Sequence, residues 1–148
     1  MKSMNLGLKL NANELADLVK AIDRAQPLPE PHLSLFYKIF TVCKYKIYVQ
    51  PLECYTEHFS AAQASDKLFI SWIWTKNKRQ LQRNILHELS HAHLRATKGK
   101  IGHRVPWQLD FIHRSFLWFT HTRDIKLLGM CLINALRYSL RTAGYNGF

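Results

Sequence analysis

Apolar positions recur along the chain at two spacings. Over NANELADLVKAIDRAQ (11–26), Leu15, Leu18, Val19 and Ile22 fall at helical intervals behind Asn13, which suits an N-cap. Pro27, Pro29 and Pro31 stop that segment, and a second short helix is expected over 32–42. CKYKIYVQP (43–51) instead alternates polar and apolar residues and is rich in β-branched and aromatic side chains, so it predicts a strand. KLFISWIW (67–74) predicts a second, more buried one. From Asn77 to about Lys98 the period becomes helical, with Leu81, Ile85, Leu89, Ala92 and Ala96 on one stripe. Gly99 and Gly102 end it, Pro106 suits the first turn of a helix over 106–121, and Asp124 opens a last helix to about Arg141. Helices flanking a run of strands predict an α+β domain.

The chain has 148 residues and shows no internal repeat or long linker, so residues 1–148 are read as one domain. Hydrophobic residues at 47% and charged residues at 21% argue against disorder. The longest apolar stretch, LLGMCLINAL at 127–136, falls well short of the ~20 residues that span a bilayer. Asn5, Lys9 and Asn11 interrupt the amino terminus before a signal core could form. Secretion and membrane insertion are therefore disfavoured, and no membrane partner is expected. Cys43, Cys54 and Cys131 are widely spaced and include no CxxC pair, which fits reduced thiols inside a cell.

Charge changes the picture further. The formal net charge is +11, and it is unevenly spread. Residues 1–75 carry a net of +1 and residues 105–148 a net of +3, whereas 76–104 carry +7 with Glu88 as their one acidic residue. Such asymmetry points to a polyanionic partner, most simply DNA, met by Lys76, Lys78, Arg79, Arg83, Lys98, Lys100 and Arg104. The plainer alternative is a solvated basic surface, since no base-reading motif accompanies the charge.

HELSH at 87–91 matches H-E-x-x-H. One helical turn separates His87 from His91, so both imidazoles point to one side and can close on one metal ion. Glu88 stands about 100° round the helix, beside that ion, where it can take a proton from a water and return it to a leaving amine. A catalytic zinc needs a third protein ligand. No glutamate follows Glu88, which removes a downstream Glu ligand, and Leu94 and Thr97 occupy the places where a longer HExxHxxGxxH motif requires Gly and His. The remaining candidates are His93, His103, His113, His121, Asp110 and Asp124. His93 lies about 200° round the helix from His91 and faces away. His103 follows a glycine turn that can bring the chain back, and is favoured; Asp110 is the outside alternative.

HELSHAHL, then Gly102–His103, Pro106 with an aromatic, and His113–Arg114 resemble, in that order, the SprT-like zinc metalloprotease family, which includes Spartan. The likeness covers roughly 67–115. It implies zinc held by His87, His91 and His103, Glu88 as catalytic base, a zincin-like α+β core, and endoproteolysis of proteins bound or crosslinked to DNA. It further implies that KLFISWIW is the sheet edge above the zinc cleft, where an unfolded peptide can pair with free backbone groups. Two departures stand out. GHRVPW sets Pro106 one residue later than the family's usual GHGPxF, and no carboxyl-terminal zinc ribbon is encoded, because Cys131 is the only downstream cysteine. Trp107, Phe111, Trp118 and Phe119 recur at helical spacing and are read as core. Tyr138 and Tyr145 are equal candidates for stabilising an oxyanion. The competing reading is a non-catalytic, basic DNA-binding adaptor in which zinc only staples helices.

Overall fold

The computed structural model describes residues 12, 13, 16, 20, 23–46, 76–100 and 102–144, the backbone of 52–56, 61–64 and 67–71, and the side chain of Leu68. Among the described residues four helices dominate: α1 (Glu30–Val42), α2 (Lys78–Lys98), α3 (Val105–Thr122) and α4 (Ile125–Thr142). Four short strands, β1 (Gln26–Pro27), β2 (Leu52–Thr56), β3 (Ala61–Ala64) and β4 (Lys67–Ser71), pair in the order β1–β2–β4–β3. The β2–β4 pairing is parallel with Leu52 opposite Lys67. The other two are antiparallel, with Gln26 opposite Tyr55 and Ala61 opposite Ile70.

The expected α+β class, a sheet packed with helices, is overturned: the molecule is mostly helical. Its hydrophobic cluster is helix on helix, built from Phe36 and Ile39 of α1, Leu81, Ile85 and Leu89 of α2, Trp107, Phe111 and Trp118 of α3, and Leu127, Cys131 and Ala135 of α4. Leu68 is the one strand residue in that cluster among the described residues. The physical reason is helix length. Helices of 13, 21, 18 and 18 residues present long apolar faces to one another, whereas strands of two to five residues offer little surface to cover.

Two strand expectations change as well. Residues 43–46 form a turn and irregular chain rather than a strand, while 47–51 lie outside the described residues. KLFIS of β4 pairs on both sides, so it is an inner strand and not an edge; Trp72, Ile73 and Trp74 lie outside the described residues. Half of the expected helix over 11–26 lies outside them; residues 12, 13, 16, 20, 23 and 24 are helical as expected, and Gln26 already belongs to β1.

Local chemistry sets the helix ends. Asn77 caps α2 by accepting from the Gln80 amide at 3.1 Å, and Gly99 closes it in the left-handed region. Asp124 caps α4 by accepting from the Leu127 amide at 3.2 Å and also pairs with Arg79 at 3.0 Å. α2 is buried around most of its middle, because α1, α3, α4, β3 and β4 all rest on it. Two of its buried polar groups are bonded across the core, the Trp118 indole donating to Gln82 at 2.8 Å and the Tyr45 hydroxyl donating to the Leu86 carbonyl at 3.3 Å, whereas the buried Asn84 Nδ2 has no partner among the described residues. Cys43 and Cys131 are buried free thiols, pushed up to about 12 and about 11 by burial. No described helix is long and apolar enough to cross a membrane.

Phe36→Ala empties a fully buried site and is expected to cost about 3–5 kcal/mol in urea denaturation, whereas Ile133→Ala on the exposed face of α4 is expected to cost less than about 0.5 kcal/mol.

Candidate metal centre

Two elements build the centre. α2 carries His87, Glu88 and His91 on its buried middle, and a short turn at 102–104 returns His103 to them. Gly102 makes that return with φ +87°. A Cβ there would meet no atom within 4 Å, so the backbone conformation and not space calls for glycine. Behind the turn, the Gln108 side-chain amide donates to the His103 carbonyl at 2.8 Å and to Thr142 Oγ1 at 3.2 Å. Its oxygen accepts from the Ser139 hydroxyl at 2.8 Å. The carbonyl of the turn is thus tied to α3 and α4.

The three imidazoles meet through the same atom. His103 Nε2 lies 3.0 Å from His87 Nε2 and 3.0 Å from His91 Nε2, and the three ligand atoms all lie within 4.8 Å of one another. On the far side of His87, Nδ1 lies 3.0 Å from Asn134 Oδ1. An amide oxygen only accepts, so Nδ1 carries the proton and His87 Nε2 turns a lone pair into the centre. A single proton on His103 Nε2 would have to serve both neighbouring rings. Hydrogen bonding alone satisfies this cluster poorly, and a cation satisfies it fully. Tetrahedral zinc, with Zn–N of 2.0–2.1 Å, sets its ligand nitrogens roughly 3.3 Å apart, close to the separations seen. The donor set therefore fits a metal ion.

Electrostatics keep the rings in the ligand form. Burial, followed by the neighbouring His103, lowers His87 to about 3. Burial and then Arg141 lower His103 to about 4, and burial followed by the two partner rings holds His91 well below the usual imidazole range. Glu88 is 5% exposed, with Oε1 3.7 Å from His87 Nε2. Burial pushes its carboxyl up to about 8, and Arg95 partly opposes that rise. It thus stands beside the triad, as its place on the helix predicts.

The other candidate ligands are spent elsewhere. His93 Nδ1 accepts from the Lys46 amide at 3.2 Å, and its Nε2 lies 3.8 Å from Asp110. Asp110 also meets Arg114 at 3.4 Å, and Arg114 donates to the Cys43 carbonyl, so this group fastens the chain after α1 to α3. His113 is exposed, His121 stacks on Trp118 at 5.0 Å, and Asp124 caps α4.

Three neighbours escape a reading of the sequence. Asn134 carries no motif and lies 47 residues from His87. Gln108 reads as an ordinary helical residue. Trp107, expected as core, is also the wall of the site: it donates to the His87 carbonyl at 3.3 Å and stacks on His91 at 5.3 Å. Of the two tyrosines, Tyr138 reaches the centre and lies flat on His103 with ring centroids 3.9 Å apart; Tyr145 lies outside the described residues.

The basic residues do not gather there. Lys76, Lys78 and Arg79 are exposed at the start of α2, and Lys98, Lys100 and Arg104 are exposed near its end, roughly 30 Å away at 1.5 Å per residue. Arg83 is half-buried between the two groups and donates to Asn84 at 3.3 Å. No family model, curated protein or solved structure matches the chain.

For the metal-free protein, the lowered histidines contribute stability that is present above their ordinary value of 6.5 and lost as pH falls toward 3–4. The raised Glu88 acts the other way, its contribution being lost as pH rises from 4.5 toward about 8. Three imidazoles outweigh one carboxyl below pH 6.5, so stability is expected to peak near that pH. Chemical denaturation of the chelator-treated protein from pH 4 to 9 checks this; a flat profile contradicts it.

Proposed function

We propose that this protein is a zinc-dependent endopeptidase of SprT-like type, acting on proteins bound or crosslinked to DNA. The observation that carries this reading is the convergence of His87, His91 and His103 through Nε2, with the Glu88 carboxylate 3.7 Å from the nearest of those atoms. Three neutral imidazoles suit zinc, and three protein ligands that leave a fourth position open, with a carboxylate beside them, are the pattern of a catalytic rather than a structural zinc. Zinc held there would polarise a peptide carbonyl and acidify water. Glu88 accepts the proton released during attack and delivers it to the departing amine, while Asn134 holds His87 in the tautomer that leaves Nε2 free.

The DNA part of the proposal draws on the net +7 of residues 76–104 and on the two exposed basic groups at either end of α2. An intracellular location, at the nucleoid or in the nucleus, goes with it, as do the buried free thiols of Cys43 and Cys131. The adaptor with a structural zinc is the second reading; a carboxylate at Glu88 serves no purpose in it.

The purified chain is expected to hold about one zinc, measured by elemental analysis. Glu88→Gln is expected to keep that zinc while lowering cleavage of a DNA-bound protein by roughly 10²–10⁴-fold. Equal cleavage by both forms overturns the reading of Glu88 as the base, and zinc binding without cleavage under any condition moves the protein to the adaptor reading. If the six exposed basic residues meet phosphate, DNA affinity is expected to drop about 10³-fold between 50 and 200 mM salt; binding indifferent to salt excludes the basic surface as the contact.

A further inference from the structure

His87 and His91 are fixed by a helix buried in the middle of the fold, but His103 stands on a turn. The Gln108 bond reaches only its carbonyl and leaves the ring free to rotate about its side-chain torsions. What restrains the ring is aromatic. The Tyr138 ring lies parallel to it, 3.9 Å between centroids and 6° between planes, while Trp107 meets it edge-on at 4.8 Å and 77°. A parallel contact at that distance opposes rotation out of the plane, because any turn of the imidazole drives an edge into the phenol face. Tyr138 is itself backed. The Arg141 guanidinium sits 5.1 Å from its ring centroid and hydrogen-bonds its phenol, so the ring is braced from its own helix. One turn earlier on the same helix, Asn134 holds His87. α4 therefore grips two of the three imidazoles while donating no ligand of its own.

Resting on the metal-centre reading above, we propose that Tyr138 is a positioning residue that clamps the His103 ring in ligand geometry, so that docking of α4 and loading of the metal are one linked event. The aromatic face does the clamping, and the phenol hydroxyl is dispensable for it. Metal binding then steadies α4, and loosening α4 releases the metal through its third ligand.

The test uses the full-length chain as Tyr138→Leu and Tyr138→Phe. Zinc affinity is read by competition with a chromophoric chelator, and ligand geometry by the visible absorption of the cobalt(II)-loaded protein. Tyr138→Leu is expected to weaken zinc binding about 10–100-fold and to change the cobalt bands, whereas Tyr138→Phe keeps both as in the wild type. Metal is also expected to slow amide exchange across 134–142 in the wild type, and to do so less in the leucine variant. Wild-type affinity and cobalt bands in Tyr138→Leu overturn the clamp, even if its metal-free melting temperature falls, because that pattern belongs to a merely structural tyrosine. Weakened binding by Tyr138→Phe overturns it too, by moving the role to the hydroxyl. If the leucine variant does not fold by circular dichroism, amide exchange of the wild type decides: slowing across 134–142 on metal binding upholds the link between α4 and the metal, and unchanged exchange overturns it. A wild-type protein that takes up neither zinc nor cobalt brings down the metal reading itself, before any variant is compared.

Discussion

Three imidazole nitrogens aimed at one another inside a protein are an unfavourable arrangement unless something positive stands between them. His103 Nε2 faces both His87 Nε2 and His91 Nε2 at 3.0 Å, and burial denies the rings the protons that would otherwise relieve them. Desolvation is thus the constraint behind the centre. It keeps the ligands neutral, leaves their lone pairs uncompensated, and makes a cation the natural complement. The helices around the triad can be understood as what holds those nitrogens close despite their mutual repulsion.

α2 bears most of that burden, and its position explains its composition. A helix at the rim of a domain needs one apolar stripe. α2 buries Leu81, Ile85 and Leu89 together with Gln82, Asn84, Glu88 and His91, because neighbours rest on nearly every side of its middle. Several of these buried polar groups have a use. Gln82 receives the Trp118 indole, Ser90 meets Tyr45, and the HELSH groups form the centre. The same enclosure that pays for the hydrophobic cluster raises Glu88 and lowers the histidines, so packing and reactivity share one cause.

α4 plays a different part. Its inner face supplies Asn134 to His87 and Tyr138 to His103, and its end receives Gln108 through Ser139 and Thr142. None of these is a ligand, yet together they govern the tautomer of one imidazole and the attitude of another. Side chains more than 30 residues downstream of His103 thereby shape the centre from outside, as outer groups around metal sites commonly do.

Features that follow from the 3.6-residue period were legible along the chain: the helix from Asn77 to Lys98, its caps, the shared side of His87 and His91, and Glu88 standing next to them. The glycines after the helix also marked His103, since Gly99 ends α2 in the left-handed region and Gly102, again at positive φ, turns the chain back. Convergence was another matter. Asn134 and Gln108 had no motif to betray them, Tyr138 could not be told from Tyr145, and β4 showed nothing of the neighbours that make it an inner strand. The α+β expectation failed for the same reason: runs of alternating residues announced strands, but whether strands or helices bury the core depends on which apolar faces find each other. Backbone periodicity acts over a few residues and is written locally, whereas the meeting of His87, His103, Asn134 and Tyr138 is set by the packing of three helices, a property that no stretch of neighbouring residues contains.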